Sequence, residues 1–191
     1  VTASFDVATS VASIVSVSSA TPAVAGSTVA LTATTDALTG GAGADIINGV
    51  IAGQGTTGTT AAAGDSVIGG DGIDTLTISM TGATTAAYSA AAITTSGVEK
   101  LYASNFDTDG TQSFTHTIDG SLMTGLTTVG LSASGANGDT LFTNVKNLVD
   151  AEMGNGNADL DIVYQTTVVA GTADTQKLAL SNQSAGTFTA N

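Results

Sequence analysis

A nine-residue pattern constrains the fold of this chain more than any other feature of its sequence. The pattern is Gly-Gly-x-Gly-x-Asp-x-U-x, in which U is a large apolar residue, and it occurs twice without a mismatch, at 40–48 (GGAGADIIN) and at 69–77 (GGDGIDTLT). The glycines allow the backbone to turn tightly through positive φ and to expose its carbonyl groups. The aspartate adds a charged oxygen, and the apolar residue points inward as a strand begins. The pattern therefore predicts short strands that alternate with tight, oxygen-rich turns.

The aspartates extend this spacing beyond the two perfect copies, since Asp36 lies one nonapeptide before Asp45 and Asp65 lies one nonapeptide before Asp74. The nonapeptide resembles the calcium-binding repeat of RTX proteins. One turn cannot supply the roughly six to eight oxygens that Ca²⁺ takes, so stacked turns would share each ion. The candidate ligands are Gly40, Gly41, Gly43, Asp45, Gly69, Gly70, Asp71, Gly72, Asp74, Asp36 and Asp65. The alternative is a set of glycine-rich hairpin turns in which the aspartates are incidental.

Two further segments carry oxygen ligands in a looser arrangement. The run NFDTDG at 105–110 places oxygens at alternate positions before a glycine, as in the first half of a calcium loop. His116 stands where such a loop would have its bidentate glutamate, so the run fits either a calcium site or a plain Asx turn. The run GNGNAD at 154–159 resembles the nonapeptide, although Asp161 occupies the apolar position. These runs add Asn105, Asp107, Asp109 and Asp159 to the candidate ligands.

The charge balance argues against several classes of partner. The chain has 14 Asp and 2 Glu against three Lys and no Arg, and its formal net charge is −13. Nucleic-acid binding needs a basic face, so we expect no nucleic-acid partner. The same charge disfavours docking on anionic lipid. No apolar run of about 18 residues exists, so we expect no membrane span.

The reactive residues do not predict an enzyme. The chain has no cysteine, which excludes disulfides, thiolate metal sites and cysteine nucleophiles. His116 is the only histidine, so a zinc cluster of several histidines cannot form within the chain. A triad of Ser113, His116 and an aspartate would need a nucleophile turn that the sequence lacks. We therefore expect His116 to be an ordinary strand residue.

Composition and short repeated phrases favour an all-β solenoid. Aromatic residues make up only 4% of the chain, which suits thin repeated core layers, and threonine and valine favour strands. The phrases VEKL at 98–101, LTTV at 126–129 and VKNL at 145–148 recur at intervals typical of solenoid coils. Unrelated strands of a β-sandwich are the alternative. We expect an N-terminal strand segment over 1–35, a calcium-binding β-roll over 36–80 and a solenoid continuation over 81–191.

The nonapeptides, the aspartate-rich composition without cysteine and phrases such as Gly97-Val98-Glu99-Lys100-Leu101 are similar to those of RTX-type bacterial surface-layer proteins. The resemblance implies a right-handed parallel β-helix or β-roll with calcium between its coils. It also implies secretion to the bacterial cell surface and calcium-dependent self-assembly into a lattice or filament of identical copies. Cell-surface polysaccharide is a further candidate partner. The long tandem run of nonapeptides typical of the family is missing here.

Two other functions fit the same features. The chain could be a calcium-stiffened segment of a secreted RTX adhesin, or the secretion and folding module of an exported hydrolase. In each case we expect the clustered carboxylates to repel one another without calcium, which leaves the glycine-rich turns disordered. Ordering a backbone residue costs roughly 1–2 kcal/mol, so bound ions would have to offset that cost.

Overall fold

The computed structural model describes residues 24–53, 57–81, 89–90, 92–107 and 115–191, and the regular secondary structure in these ranges is entirely β-strand. The strands are β1 (Thr28–Ala30), β2 (Ala37–Thr39), β3 (Ile46–Ala52), β4 (Ser66–Ile68), β5 (Thr75–Thr81), β6 (Ser89–Ala90), β7 (Thr94–Ser96), β8 (Lys100–Asn105), β9 (His116–Asp119), β10 (Thr128–Ser132), β11 (Thr140–Val145), β12 (Asp150–Gly154), β13 (Leu160–Tyr164), β14 (Leu178–Ser181) and β15 (Phe188–Ala190). Within these ranges no helix is long and apolar enough to cross a bilayer.

The strands form three parallel sheets that wind into a β-solenoid. Sheet 1 has the order β1-β3-β5-β8-β10-β12-β14, sheet 2 has the order β15-β13-β11-β9-β6, and sheet 3 has the order β2-β4-β7. Every pairing between neighbouring strands is parallel. The predicted all-β solenoid is therefore confirmed, and the β-sandwich alternative is wrong because its strands would pair antiparallel.

The nonapeptide spacing sets the length of the first coil. Thr28 pairs with Ile46, so this coil has the length of two nonapeptides. Its strands belong to sheets 1 and 3, and short turns of equal length join them. The next coil brings Ile46 to Thr75 and is longer, because extra residues lie between β3 and β4. The added chain leaves the strands in register.

The core consists of columns of inward-facing side chains, one from each coil. In sheet 1 the register places Ile47, Leu76, Leu101 and Val129 in one column, and each of them is buried. Along β5 the buried residues alternate with half-buried ones, as a strand with one face on a core requires. Full burial of each such side chain stabilises the fold by roughly 1.5–3 kcal/mol.

The three sequence phrases differ in how well they follow the coils. Leu101 pairs with Val129, so the first two phrases lie in register, as their spacing predicts. The third phrase is out of register, since Thr128 pairs with Asp150, whereas the phrase spacing would place it beside Asn147. Val145 ends β11 in sheet 2, so this phrase begins in a different sheet from the other two. Of the strands predicted over 1–35, β1 is described and residues 1–23 lie outside the described ranges.

Candidate cation site at the glycine-rich turns

The two perfect nonapeptide turns lie directly on one another in successive coils. Residues 40–45 join β2 to β3, and residues 69–74 join β4 to β5 one coil later. The N–H of Asp71 donates to the carbonyl of Gly41 across the two turns, at 3.0 Å. The structure thus brings the two motifs together at one corner of the solenoid.

The glycines of the motif differ in what they do. Gly70 and Gly72 have φ values of 111° and 125°, which residues with a side chain rarely adopt. A Cβ at Gly69 would overlap the carbonyl of Gly97 in the next coil, so this glycine permits close stacking of the turns. Gly41 has open space, because the nearest atom to a Cβ there is the Oδ2 of Asp45 at 3.8 Å. Not every motif glycine is therefore required by the geometry.

Three acidic side chains form a chain of contacts along this corner, which we call the carboxylate ladder (Asp45, Asp74 and Glu99). Asp45 Oδ1 accepts the N–H of Ser27 at 2.6 Å. Asp74 Oδ1 accepts the N–H of Asp45 at 2.7 Å, and Glu99 Oε2 accepts the N–H of Asp74 at 2.8 Å. Each carboxylate thus binds a backbone donor of the neighbouring coil that would otherwise need a partner.

The second carboxylate oxygens distinguish Asp45 from Asp74. Asp45 Oδ2 accepts the N–H of Gly41 at 2.6 Å. This bond, followed by those from Ser27, holds the pKa of Asp45 below its ordinary value of 3.8. Asp74 Oδ2 is buried and has no hydrogen-bond partner among the described residues. Burial raises the pKa of Asp74, the charges of Glu99, Asp45 and Asp71 raise it further, and the N–H of Asp45 acts in the opposite direction.

Asp36 and Asp65 stack on one another at the corner before sheet 3. Asp65 Oδ1 accepts the N–H of Asp36 at 3.0 Å, and Asp65 Oδ2 accepts the N–H of Ala62 at 2.8 Å. Asp36 accepts the N–H and the hydroxyl of Thr32. Both oxygens of each carboxylate therefore have partners, and these residues act as backbone caps between and within coils.

The weaker candidates lie at other corners. Asp107 Oδ2 is 2.9 Å from His116 Nε2, and both side chains are fully buried. The N–H of Asp107 donates to Asn105 Oδ1 at 3.1 Å. His116 is the first residue of β9, so it is a strand residue as predicted. Asp109 lies outside the described residues.

Asp159 belongs to a second series of backbone caps, at the corner before sheet 2. Its Oδ1 accepts the N–H of Thr187 at 2.5 Å, and its own N–H donates to Asp139 Oδ1 at 2.9 Å. The carboxylates at this corner thus link successive coils in the same way as the carboxylate ladder. They lie in coils that do not contain the two perfect turns.

The donor set at Asp74 suits a hard cation, because carboxylate and carbonyl oxygens are the ligands that Ca²⁺ takes. A Cβ at Gly69 would overlap both Asp74 Oδ2 and the Gly97 carbonyl oxygen, so these two oxygens face the same small space. Among the described residues no three acidic or histidine side chains converge closely enough to hold a metal alone. A cation here would therefore need backbone carbonyls, such as that of Gly97, in addition to Asp74 Oδ2.

Sequence reasoning did not identify Glu99 as part of this site. The turn before it has shortened to Gly97, Val98 and Glu99, so the nonapeptide spacing is lost. The remaining signal was an acidic residue directly before a strand, as at Asp45 and Asp74. No family model matches the chain, and no curated protein or solved structure is significantly similar to it. The function must therefore be inferred from the chain's own residues.

Proposed function

We propose that this chain is an extracellular structural protein of a bacterial surface layer and that Ca²⁺ stabilises its solenoid at the glycine-rich turns. The observation that carries the proposal is the buried Asp74 Oδ2, which has no partner in the described structure and lies where two perfect nonapeptides stack. A buried carboxylate oxygen of this kind requires either a proton or a cation. The oxygen-rich surroundings favour a hard cation.

Because the pKa of Asp74 is raised, the stability of the fold at this site depends on pH and on bound cations. Because the folded pKa lies above the unfolded value, ionisation of Asp74 removes stability as the pH rises through that interval. At neutral pH the folded chain carries this cost unless a bound cation offsets the charge. Extracellular modules bind Ca²⁺ with dissociation constants of about 10⁻⁴–10⁻³ M. A tenfold excess over that constant adds about 1.4 kcal/mol of stability per site.

The net charge of −13 extends this need for cations from Asp74 to the whole chain. Three lysines cannot balance 16 carboxylates, so the compact state is destabilised by self-repulsion unless solvent cations screen or bind it. In calcium-poor cytoplasm this repulsion would keep the chain export-competent. Outside the cell, calcium would complete folding and permit copies to associate. Electron microscopy of the purified protein with and without calcium tests the assembly, and we expect ordered arrays only with calcium.

The calcium site is tested by thermal unfolding of the wild type, Asp74→Asn and the exposed control Asp174→Asn, each with calcium and with chelator. We expect calcium to raise the Tm of the wild type and of the control. Asp74→Asn should respond much less, and in chelator it should be at least as stable as the wild type, because it lacks the buried charge. A wild-type Tm that is the same in calcium and in chelator, or an equal response of Asp74→Asn, would contradict the proposal.

A second candidate function, a glycan-binding adhesin segment, is favoured by a groove of about 350 Å³ on sheet 1. Tyr102 lies over Gly130, where a Cβ would be 3.0 Å from the tyrosine ring, and its hydroxyl donates to the Glu152 carboxylate. An aromatic ring beside a carboxylate and several hydroxyl groups is suited to sugar binding. Binding of oligosaccharides by the monomer, lost in Tyr102→Ala, would favour this function over the surface layer.

A further inference from the structure

The groove on sheet 1 is formed by a gap in one column of outward-facing residues. Tyr102, Gly130 and Glu152 lie in register on β8, β10 and β12. Because Gly130 has no side chain, the ring of Tyr102 extends over it and the tyrosine hydroxyl reaches the Glu152 carboxylate. A Cβ at Gly130 would lie 2.3 Å from the carbonyl oxygen of Glu152, so the arrangement requires a glycine there. The ring and the carboxylate together form one wall of the groove.

The floor of the groove consists of small residues. Ser132, Gly154 and Ser181 lie in register in the next outward-facing column of sheet 1, and all three line the groove. Asn155 borders the groove directly after the end of β12. The volume of about 350 Å³ falls within the range of roughly 300–1,000 Å³ that is typical of small-molecule sites. Hydroxyl and amide groups beside an aromatic ring suit a sugar, as the second candidate function requires.

The electrostatics of the groove specify the sugar more closely. Among the described residues that line the groove, Glu152 is the only one that carries a charge. Lys100 precedes Tyr102 on the same face of β8, so it lies on the opposite side of this wall from the floor. Lys177 lies 3.9 Å from the Asp150 carboxylate. Burial, followed by the hydrogen bond to Glu152, raises the pKa of Tyr102, so the tyrosine remains a neutral donor and the groove keeps a net negative charge.

We propose that the groove binds a sugar that carries a free amino group, with its ammonium group against Glu152 and the ring of Tyr102. A carboxylate attracts an ammonium group directly, and an aromatic ring does so when the cation lies within about 6 Å of the ring centre. The net charge of −13 favours a cationic ligand further and repels an anionic polysaccharide. The proposal rests on the second candidate function, because it names the class of sugar that this groove takes.

The test is calorimetric titration of the full chain in calcium, in mildly acidic buffer of low ionic strength, where a sugar amine is protonated. The probes are three linear oligosaccharides of equal length and linkage, built from glucosamine, from N-acetylglucosamine and from glucose. We expect the glucosamine oligosaccharide to bind roughly fivefold more tightly than the other two, and added salt should reduce this preference. Equal binding of all three would overturn the inference and leave the glycan-binding function standing, whereas binding of none would overturn both.

Two variants separate the Glu152 carboxylate from the charge of the whole chain. Glu152→Gln keeps an oxygen that accepts the Tyr102 hydroxyl but removes the charge, whereas Asp174→Asn removes an equal charge from an exposed residue outside the groove. Glu152→Gln should bind the glucosamine and glucose oligosaccharides equally, and Asp174→Asn should keep the wild-type preference. A preference that survives in Glu152→Gln or disappears in Asp174→Asn would overturn the inference. Circular dichroism and the calcium response of Tm, measured on the same samples, establish that each variant is folded and test the calcium proposal separately.

Discussion

The glycine-rich corner in the first coils of this solenoid and the asparagine corner in its last coils are formed by different residues. In the first coils the turns use glycines at positive φ, among them Gly70 and Gly72, and buried carboxylates bind the neighbouring backbone. In the last coils Asn155 and Asn182 take the left-handed conformation, at φ of 54° and 52°, one above the other. Asn182 Nδ2 donates to Asn155 Oδ1 at 3.2 Å.

This difference teaches that one fold can have regions with different sensitivity to solution conditions. The asparagine corners are neutral, so neither pH nor divalent cations should change them directly. The glycine-rich corner contains Asp74, whose second oxygen has no partner in the described structure, and it should therefore respond to both. The core does not differ between the two regions in this way. Its inward-facing side chains are buried in both, for example Leu76 and Leu101 in the first coils and Phe142 and Ile162 in the last.

The largest effect that we predict concerns the glycines of the first region. Gly69→Ala would place a Cβ onto the carbonyl of Gly97, so the coils would have to separate. We expect a loss of roughly 3 kcal/mol, the upper end of typical overpacking costs. Gly41→Ala, in the same motif but with open space, should change the free energy of unfolding by about 0.5 kcal/mol or less. Denaturant unfolding measures both, and equal losses would show that close stacking does not explain the motif.

A smaller effect is predicted at Asp45, whose pKa is lowered by hydrogen bonds from Gly41 and Ser27. A group with a lowered folded pKa stabilises the fold above its unfolded pKa, and that stability is lost as the pH falls through the folded pKa. Asp45→Asn should therefore lower Tm by roughly 2–4 °C at neutral pH. The difference from the wild type should close below pH 3.8, where the wild-type carboxyl also takes up its proton.

The pH series for Asp45→Asn is measured in calcium, with Asp174→Asn as the exposed control. The control should differ little from the wild type at every pH. A difference between Asp45→Asn and the wild type that persists unchanged into strong acid would mean that the carboxylate charge is not what holds the neighbouring backbone.

The smallest effect should appear in the last region, at Ala133. This residue has φ of 56° and precedes Asn155 and Asn182 in the same column of successive coils. Asparagine tolerates this conformation better than alanine does. Ala133→Asn should therefore raise Tm by roughly 1–2 °C. Ala133→Val should lower it, because a β-branched residue fits the conformation poorly, and a change of the same sign in both variants would contradict this explanation.

The fold was well predicted from the sequence, because the spacing of the nonapeptide matches the length of the first coil and the positions of its corners. Two nonapeptides make up the first coil, and the spacing of Asp36 and Asp45 matches the two corners of that coil. The phrase at 145–148 gave a wrong coil length, because apolar residues three apart also occur where a strand ends. Val145 belongs to sheet 2, and the spacing of phrases cannot show which sheet a residue enters.

The candidate site was less predictable than the fold. Composition and motifs identify Asp45 and Asp74 equally, since the two turns match the same pattern. Only the stacked structure shows that the second oxygen of Asp45 accepts the Gly41 N–H and that the second oxygen of Asp74 has no partner in the described structure. The pairing of Asp107 with His116 likewise depends on how the chain returns between β8 and β9, which residue spacing does not specify.

The unequal coil lengths have a consequence for how such a molecule can diversify. The short first coil and the longer second one stack with their strands in register, because the extra residues lie between β3 and β4. Successive strands remain about 4.8 Å apart whatever the length of the connection. Insertions between strands can therefore add new segments at the sides of the solenoid, while the rise per coil along its axis stays constant.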